Sequence, residues 1–267
     1  MITFEEVIAK LSRVIPPALA EEWDNSGPQC GTLAKRVGRI HLALDLDDAV
    51  LKEAIRLKSD LIITHHPLIF KPFRNMIDDD PAKSMLQELI RRDIAAYSLH
   101  TNLDKTFNAS LARVFGIKNP VTLDPDGPAA PLNKSPGIGS YGRLPRSLSP
   151  GVFLGLVRRK LGAVNLRVAG KLPARISKVA FCGGSGGFLI TPRLKRLGVD
   201  LLLTADVRYH DGQKAAALGL CVVDAGHFQT EQVLISDMTR VLAKVLPSGI
   251  RISRSVVITD PFQEKIT

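Results

Sequence analysis

The sequence predicts an α/β protein made of two similar units. Short apolar strands alternate with amphipathic segments of helical length, the pattern of βαβ units around a parallel sheet. Two of the strands, Asp60-Leu-Ile-Ile-Thr64 and Asp200-Leu-Leu-Leu-Thr204, are nearly the same words in the same place. An internal duplication, with two α/β units facing each other, is the economical reading. The third observation is that several strands end in His or an acid. At the carboxyl edge of an α/β sheet the following loop carries chemistry while the sheet beneath stays rigid.

Thr3-Phe-Glu-Glu6 is a capping box, and Val7, Ile8, Leu11, Val14 and Ile15 follow at helical spacing until Pro16-Pro17. Glu22–Gly31 is rich in turn formers around the only tryptophan, Trp23, which is expected to plug a core edge, with a loop bordering a polar site as the alternative. Arg39–Leu44 reads as a strand, Ala49–Lys58 as a helix and Asp60–His66 as a second strand. Pro81–Asp93 then gives a helix and Ile94–Leu99 a third strand ending in His100-Thr-Asn-Leu-Asp104. Asn108–Phe115 is helical in pattern. Asp124–Gly142 is crowded with Pro and Gly and has no apolar period, so it reads as a linker or long loop. Ser149-Pro150 opens a helix to about Leu161, before a short strand at Asn165–Ala169. Strand Lys178–Cys182, a glycine turn at Gly183–Gly187, a helix to Leu197 and strand Asp200–Thr204 repeat the first pattern. Strand Leu220–Asp224 precedes Gly226-His-Phe-Gln-Thr-Glu231 and a helix from Thr230 to about Val245. The units are accordingly set at 1–125 and 149–267, with 126–148 as linker and a C-terminal part able to pack back on the first unit.

The strand at Asp60 ends in His65-His66-Pro67. Neighbouring side chains in a strand point to opposite faces, so both imidazoles reach one site only if the backbone leaves the sheet there, and Pro67 favours that exit. Two adjacent imidazoles beside a buried strand cost desolvation unless something coordinates them. His227 and Glu231, four apart, share a face on any helical path. Together His65, His66, Asp104, His227 and Glu231 have the ligand count for two first-row divalent ions, and mixed nitrogen and oxygen donors suit Zn, Fe, Mn, Co or Ni better than Mg. Taken singly, Asp104 reads equally well as a helix cap and Glu231 as a solvated first-turn carboxylate, while His41 and His210 read as hydrogen-bonded or exposed histidines.

Composition narrows the class. The chain has 267 residues, 45% hydrophobic and 23% charged, as in ordinary globular proteins, and no apolar run approaches the ~18 residues of a membrane span. Three scattered cysteines fit a reducing compartment, and the expected location is the cytoplasm. The formal charge of +10 suits a small phosphorylated substrate. Nucleic acid is the less favoured partner, because the cations look dispersed and only 14 residues are aromatic. Gly183–Gly187, with Lys71, Arg74 and Arg208, could receive a phosphate, although a glycine turn more often just joins strand to helix.

Several stretches resemble, in order, the motifs of the GTP cyclohydrolase 1 type 2 homologue family, also called Nif-three-like. They are Trp23-Asp-Asn-Ser-Gly, Ile63-Thr-His-His-Pro-Leu-Ile-Phe-Lys-Pro, His100-Thr-Asn-Leu-Asp, Gly137-Ile-Gly-Ser-Tyr-Gly-Arg-Leu, Cys182-Gly-Gly-Ser-Gly, Thr204-Ala-Asp-Val-Arg-Tyr-His and Gly226-His-Phe-Gln-Thr-Glu. The resemblance implies two similar, intertwined three-layer α/β domains with a dinuclear metal site in the cleft between them, and a homohexameric ring of dimers. Its ligand positions fall on His65, His66, Asp104, His227 and Glu231, with His100 and His210 as candidates for the surrounding shell. Pro28, Cys30 and Ala205 depart from the family's usual residues, and none of these changes removes a ligand. The implied activity is hydrolysis of a nucleotide or related phosphorylated compound, cyclohydrolase-like. The alternative is a metal-binding scaffold or regulatory protein without turnover. A Cys182 nucleophile ranks last, because no paired base is evident.

Overall fold

A computed structural model describes residues 1–126 and 135–262. The chain divides into two compact units, Met1–Leu103 with Leu234–Thr267, and Asp104–Val233. The first unit begins with β1 (Ile2–Thr3), α1 (Phe4–Ser12), β2 (Gly27–Cys30), β3 (Arg36–Val37) and β4 (Arg39–Ala43). It continues through α2 (Asp48–Arg56), β5 (Leu61–Thr64), α3 (Pro81–Arg91), β6 (Ala95–Ser98) and the start of α4 (Thr101–Thr106). In the second unit follow α5 (Ser110–Val114), β7 (Val121–Pro125), β8 (Gly137–Leu148), α6 (Pro150–Leu161), β9 (Arg167–Ala169) and β10 (Ile176–Ser185). After them come α7 (Pro192–Arg196), β11 (Leu201–Ala205), α8 (Tyr209–Leu218), β12 (Val222–Asp224) and α9 (His227–Glu231). The chain then returns to the first unit with α10 (Val233–Val245) and β13 (Arg251–Arg254).

The main sheet of the first unit has the order β13-β4-β5-β6-β2, parallel except for β2. All four residues of β5 are buried, as a parallel strand covered on both faces requires. Ile62 and Ala96 pack with Val50, Ala54 and Leu89 from α2 and α3. Side chains start the helices: Thr3 and Glu6 form the expected capping box, and Asp47 and Asp80 cap α2 and α3.

The second unit's sheet has the order β7-β8-β10-β11-β12-β9, and β10, β11 and β12 are its parallel centre. Alternation along β10 sends Val179 and Phe181 to one core, where Phe181 stacks on Phe115 at 5.2 Å between ring centroids, and Ala180 and Cys182 to another with Leu194 and Ala215. Helices therefore cover both faces of this sheet.

The duplication is visible in topology and in one repeated device. Each unit has three consecutive parallel strands with an antiparallel strand beyond the third, β2 beside β6 and β9 beside β12. Asp60 Oδ2 accepts from the backbone N–H groups of Gly38 and Arg39 at 2.9 and 2.8 Å, and Asp200 Oδ2 accepts from Ser177 and Lys178, both at 2.7 Å. The Asp that opens the second parallel strand thus ties down the start of the first, twice.

Six strands depart from the reading by period: the two-residue β1 and β3, and β2, β7, β8 and β13. Most instructive is β8, which occupies most of the described part of the expected linker, whose residues 127–134 lie outside the described residues. Its glycines mark close packing rather than a loop. A Cβ at Gly142 would meet Ile117 at 2.5 Å, and one at Gly139 would meet the Phe181 carbonyl at 2.8 Å. Trp23 is 62% exposed instead of plugging a core edge, and lies 6.1 Å between centroids from the rings of Phe70 and His100.

Candidate metal centre

In the first unit the chain leaves the sheet just after β5, as the two-imidazole argument requires. The N–H groups of His65 and His66 converge on the Leu44 carbonyl at 3.1 and 3.0 Å, and Thr64 Oγ1 donates to the His66 carbonyl at 2.6 Å. The turn brings both rings to one side, their centroids 4.7 Å apart. His100, just beyond β6, joins them at 5.2 Å from His65 and 5.5 Å from His66. One potential ligand atom from each of the three lies within 4.8 Å of the others, so these three residues could together hold a metal ion.

In the second unit lie Asp104, His227 and Glu231. Helix α9 starts at His227, earlier than its sequence pattern indicates, because Gly226 takes φ +88° and Thr230 Oγ1 returns a hydrogen bond to the Gly226 carbonyl at 2.9 Å. One helical turn then sets His227 Nε2 2.9 Å from Glu231 Oε2. Potential ligand atoms of Asp104 and Glu231 lie within 4.8 Å of each other.

Every one of these four imidazoles turns Nδ1 toward an oxygen acceptor. His65 Nδ1 is 2.9 Å from the Leu99 carbonyl, His66 Nδ1 2.6 Å from Asp45 Oδ1, His100 Nδ1 2.7 Å from Asp24 Oδ1, and His227 Nδ1 2.7 Å from Asp206 Oδ2. A neutral ring that donates through Nδ1 carries its lone pair on Nε2. Oriented imidazoles backed by carboxylates are the usual surroundings of a metal site. His227 sharpens the point, since both its nitrogens face carboxylates. A protonated ring donates to both, whereas a neutral ring has one proton for two such contacts and sets a lone pair against Glu231, where a metal cation held by both atoms takes the place of the second proton. The donors present, imidazole nitrogen and carboxylate oxygen, therefore fit a first-row divalent ion.

Backbone geometry has been spent on this arrangement. Asp206 sits at φ +51°, a left-handed conformation costly for a residue with a side chain, immediately after β11. Gly184 takes φ +59°, and a Cβ there would lie 2.0 Å from Glu231 Oε1 and 3.1 Å from His227 Nε2. The glycine turn thus lets the main chain approach these two side chains closely.

Electrostatics separate the roles. Burial alone would raise the Asp24 carboxyl, but hydrogen bonds from His100, Thr101 and Ser26 hold it well below the usual range, so Asp24 is an anion fixed behind His100. Burial, reinforced by Asp104 and Glu231, pushes the Cys182 thiol far up, and an un-ionised thiol is a poor nucleophile. His210 is exposed on α8, bonded to Gln213 at 3.0 Å, and belongs to no metal-capable group among the described residues. His41 is buried between Ser253 Oγ at 2.9 Å and Glu53 Oε2 at 3.2 Å, a structural pair. Asp24, Asp45 and Asp206 escaped the reading by period, although Asp45 and Asp206 follow strands just as the histidines do.

Comparison with known proteins agrees with these observations. The profile of a family described as Duf34/NIF3 (NGG1p interacting factor 3) matches residues 2–261. A Clostridium perfringens protein named GTP cyclohydrolase 1 type 2 homolog is 32% identical over 261 residues, covering 97% of this chain and 98% of its own. A Streptococcus pneumoniae protein of the same name is 32% identical over 249 residues, covering 90% and 89%. A crystal structure described as a Bacillus cereus protein related to NIF3 aligns with a TM-score of 0.87 at 26% identity, over 98% of both chains.

Proposed function

This chain belongs to the Duf34/NIF3 family, and on that premise we propose that it is a metal-dependent hydrolase acting on a nucleotide or a related phosphorylated substrate. In this reading His65, His66, Asp104, His227 and Glu231, with His100 beside them, hold two divalent first-row ions per chain. The observation that carries it is the common orientation of the four imidazoles, each directed by an acceptor at Nδ1 so that Nε2 presents a lone pair. When bound, such ions supply Lewis acidity for attack at a C–N or P–O centre.

The chain's own groups then have separable tasks. Asp24, Asp45 and Asp206 fix the tautomer and orientation of His100, His66 and His227. Asp104 and Glu231 contribute negative charge, and Glu231 acts as a ligand and not as the general base, because it shares its face of α9 with His227. Relatives named GTP cyclohydrolase 1 type 2 homolog make opening of the guanine ring of GTP the first reaction to try. A ring of six chains and a cytoplasmic location complete the reading. No helix among the described residues is long and apolar enough to cross a membrane.

The test is a screen of GTP and other phosphorylated compounds with protein reconstituted in turn with Zn, Mn, Fe, Co and Ni. Turnover that requires added metal, stops with chelator and disappears in Glu231→Ala supports the proposal. A fully loaded protein that turns over nothing in a broad screen favours the scaffold reading instead.

A further inference from the structure

The formal charge of +10 is not shared between the units. Asp104–Val233 carries eighteen Lys and Arg against eight Asp and Glu, while the remainder carries eighteen of each. The eight acids are all engaged elsewhere. Asp104, Asp206 and Glu231 belong to the candidate metal centre, and Asp200 accepts backbone N–H groups. Asp211 accepts from the Arg208 N–H, and Asp124, Asp126 and Asp224 pair with Arg193, Lys105 and Arg167.

The surplus has a focus on the face formed by β8, α6 and the segment between α5 and β7. Two grooves there share Pro145. One, of about 420 Å³, is lined by Lys118, Asn119, Tyr141, Arg143 and Lys178, with Lys178 Nζ 5.1 Å above the Tyr141 ring centroid. The other, of about 470 Å³, has an apolar floor of Phe115, Leu144 and Leu156 between Arg146 and Arg159. Five cations line the pair, and no carboxylate does.

We infer that this face binds single-stranded nucleic acid, the five cations taking phosphates and the apolar groove receiving an unpaired base. A duplex keeps its bases stacked inside and has nothing to place in that groove, which decides for the single strand. With so few aromatic residues, affinity comes from phosphate contacts, so base preference is weak and salt dependence steep. Five contacts at about 0.7 each give a log–log salt slope near −3.5, or roughly 100-fold weaker binding at 200 mM than at 50 mM salt.

The test measures fluorescence anisotropy of labelled dT20 and U20 strands against salt, with a 20-base-pair duplex and heparin as competitors. Neutralising Arg143, Arg146 and Arg159 to Gln should weaken binding at least tenfold at 100 mM salt and reduce the slope by about 2. Neutralising Lys171, Lys195 and Lys214, exposed cations of the same unit outside both grooves, removes the same charge and should cost no more than about threefold. Both triple variants should keep wild-type metal content, which separates this surface from the metal centre. Equal losses in the two variants, no binding by wild type at 50 mM salt, or preference for duplex or heparin over the strands each overturn the inference. If the first variant does not fold, photo-cross-linking of a bromouridine strand to wild type replaces it. Adducts within 116–119, 141–146 or 159 support the site, and adducts confined to other segments refute it.

Discussion

Gly184→Ala tests whether the glycine turn serves the metal centre or only the fold. The alanine meets two penalties. At φ +59° its side chain costs roughly 1–2 kcal/mol of backbone energy, whatever the space around it. Its Cβ would also fall 2.0 Å from Glu231 Oε1. That oxygen ends a flexible side chain, so the clash is relieved by moving the carboxylate, which adds little to the stability loss but takes Glu231 away from His227. Gly162→Ala is the control, because φ is +68° there and nothing lies within 4 Å of its Cβ. Both variants should lose about 1–2 kcal/mol in urea denaturation, with unchanged m-values. Only Gly184→Ala should lose metal affinity, at least tenfold by chelator competition, the scale seen when the support of a ligand is removed. A Gly184→Ala protein that binds metal as wild type does, or a Gly162→Ala protein that also fails to bind, would refute the reasoning.

Three further outcomes follow from the geometry. Asp206→Asn keeps the shape but withdraws the charge behind His227, and metal affinity should fall about 10–100-fold by competition titration with the fold intact. Asp60→Ala and Asp200→Ala strip equivalent double acceptors and should cost about 1–3 kcal/mol each in chemical denaturation; a much smaller loss from either would deny that the device is used twice. Burial lowers the His41 pKa against the opposing pull of Glu53. Burial would raise Glu53, but hydrogen bonds from Ser255, Val256 and His41 hold it down. Both folded-state values lie below the unfolded ones, so both contributions are present at neutral pH and are lost on acidification, from below about 6.5 for His41 and below about 4.5 for Glu53. The urea midpoint should fall between pH 7.5 and 5.5 in wild type and fall less in His41→Gln, and identical profiles would contradict the assignment.

What could be read from sequence was whatever is encoded locally. β5 is legible because a strand buried on both faces needs an unbroken apolar run, and its exit because Pro67 cannot continue a ladder. β8 was hidden because its glycines serve partners distant in sequence, Ile117 and Phe181, so a strand looked like a loop. Trp23 was misplaced because its neighbours, Phe70 and His100, come from segments that no local period connects to it. The metal-capable histidines announced themselves at strand ends. Their supporting carboxylates did not, because Asp24, Asp45 and Asp206 acquire meaning only from the imidazole each one faces. The cations are shared evenly, eighteen to each unit, and the imbalance lies in the acids, eight against eighteen, an asymmetry invisible until the unit boundaries are known.

Elemental analysis of metal-reconstituted protein, set beside a His65→Ala, His66→Ala double variant, bears most directly on the metal centre. The four directed imidazoles and two carboxylates predict about two first-row divalent ions per wild-type chain and a clear loss in the double variant at unchanged folded content. Wild-type protein without stoichiometric metal, or a double variant that binds as much as wild type, would contradict the assignment of these residues.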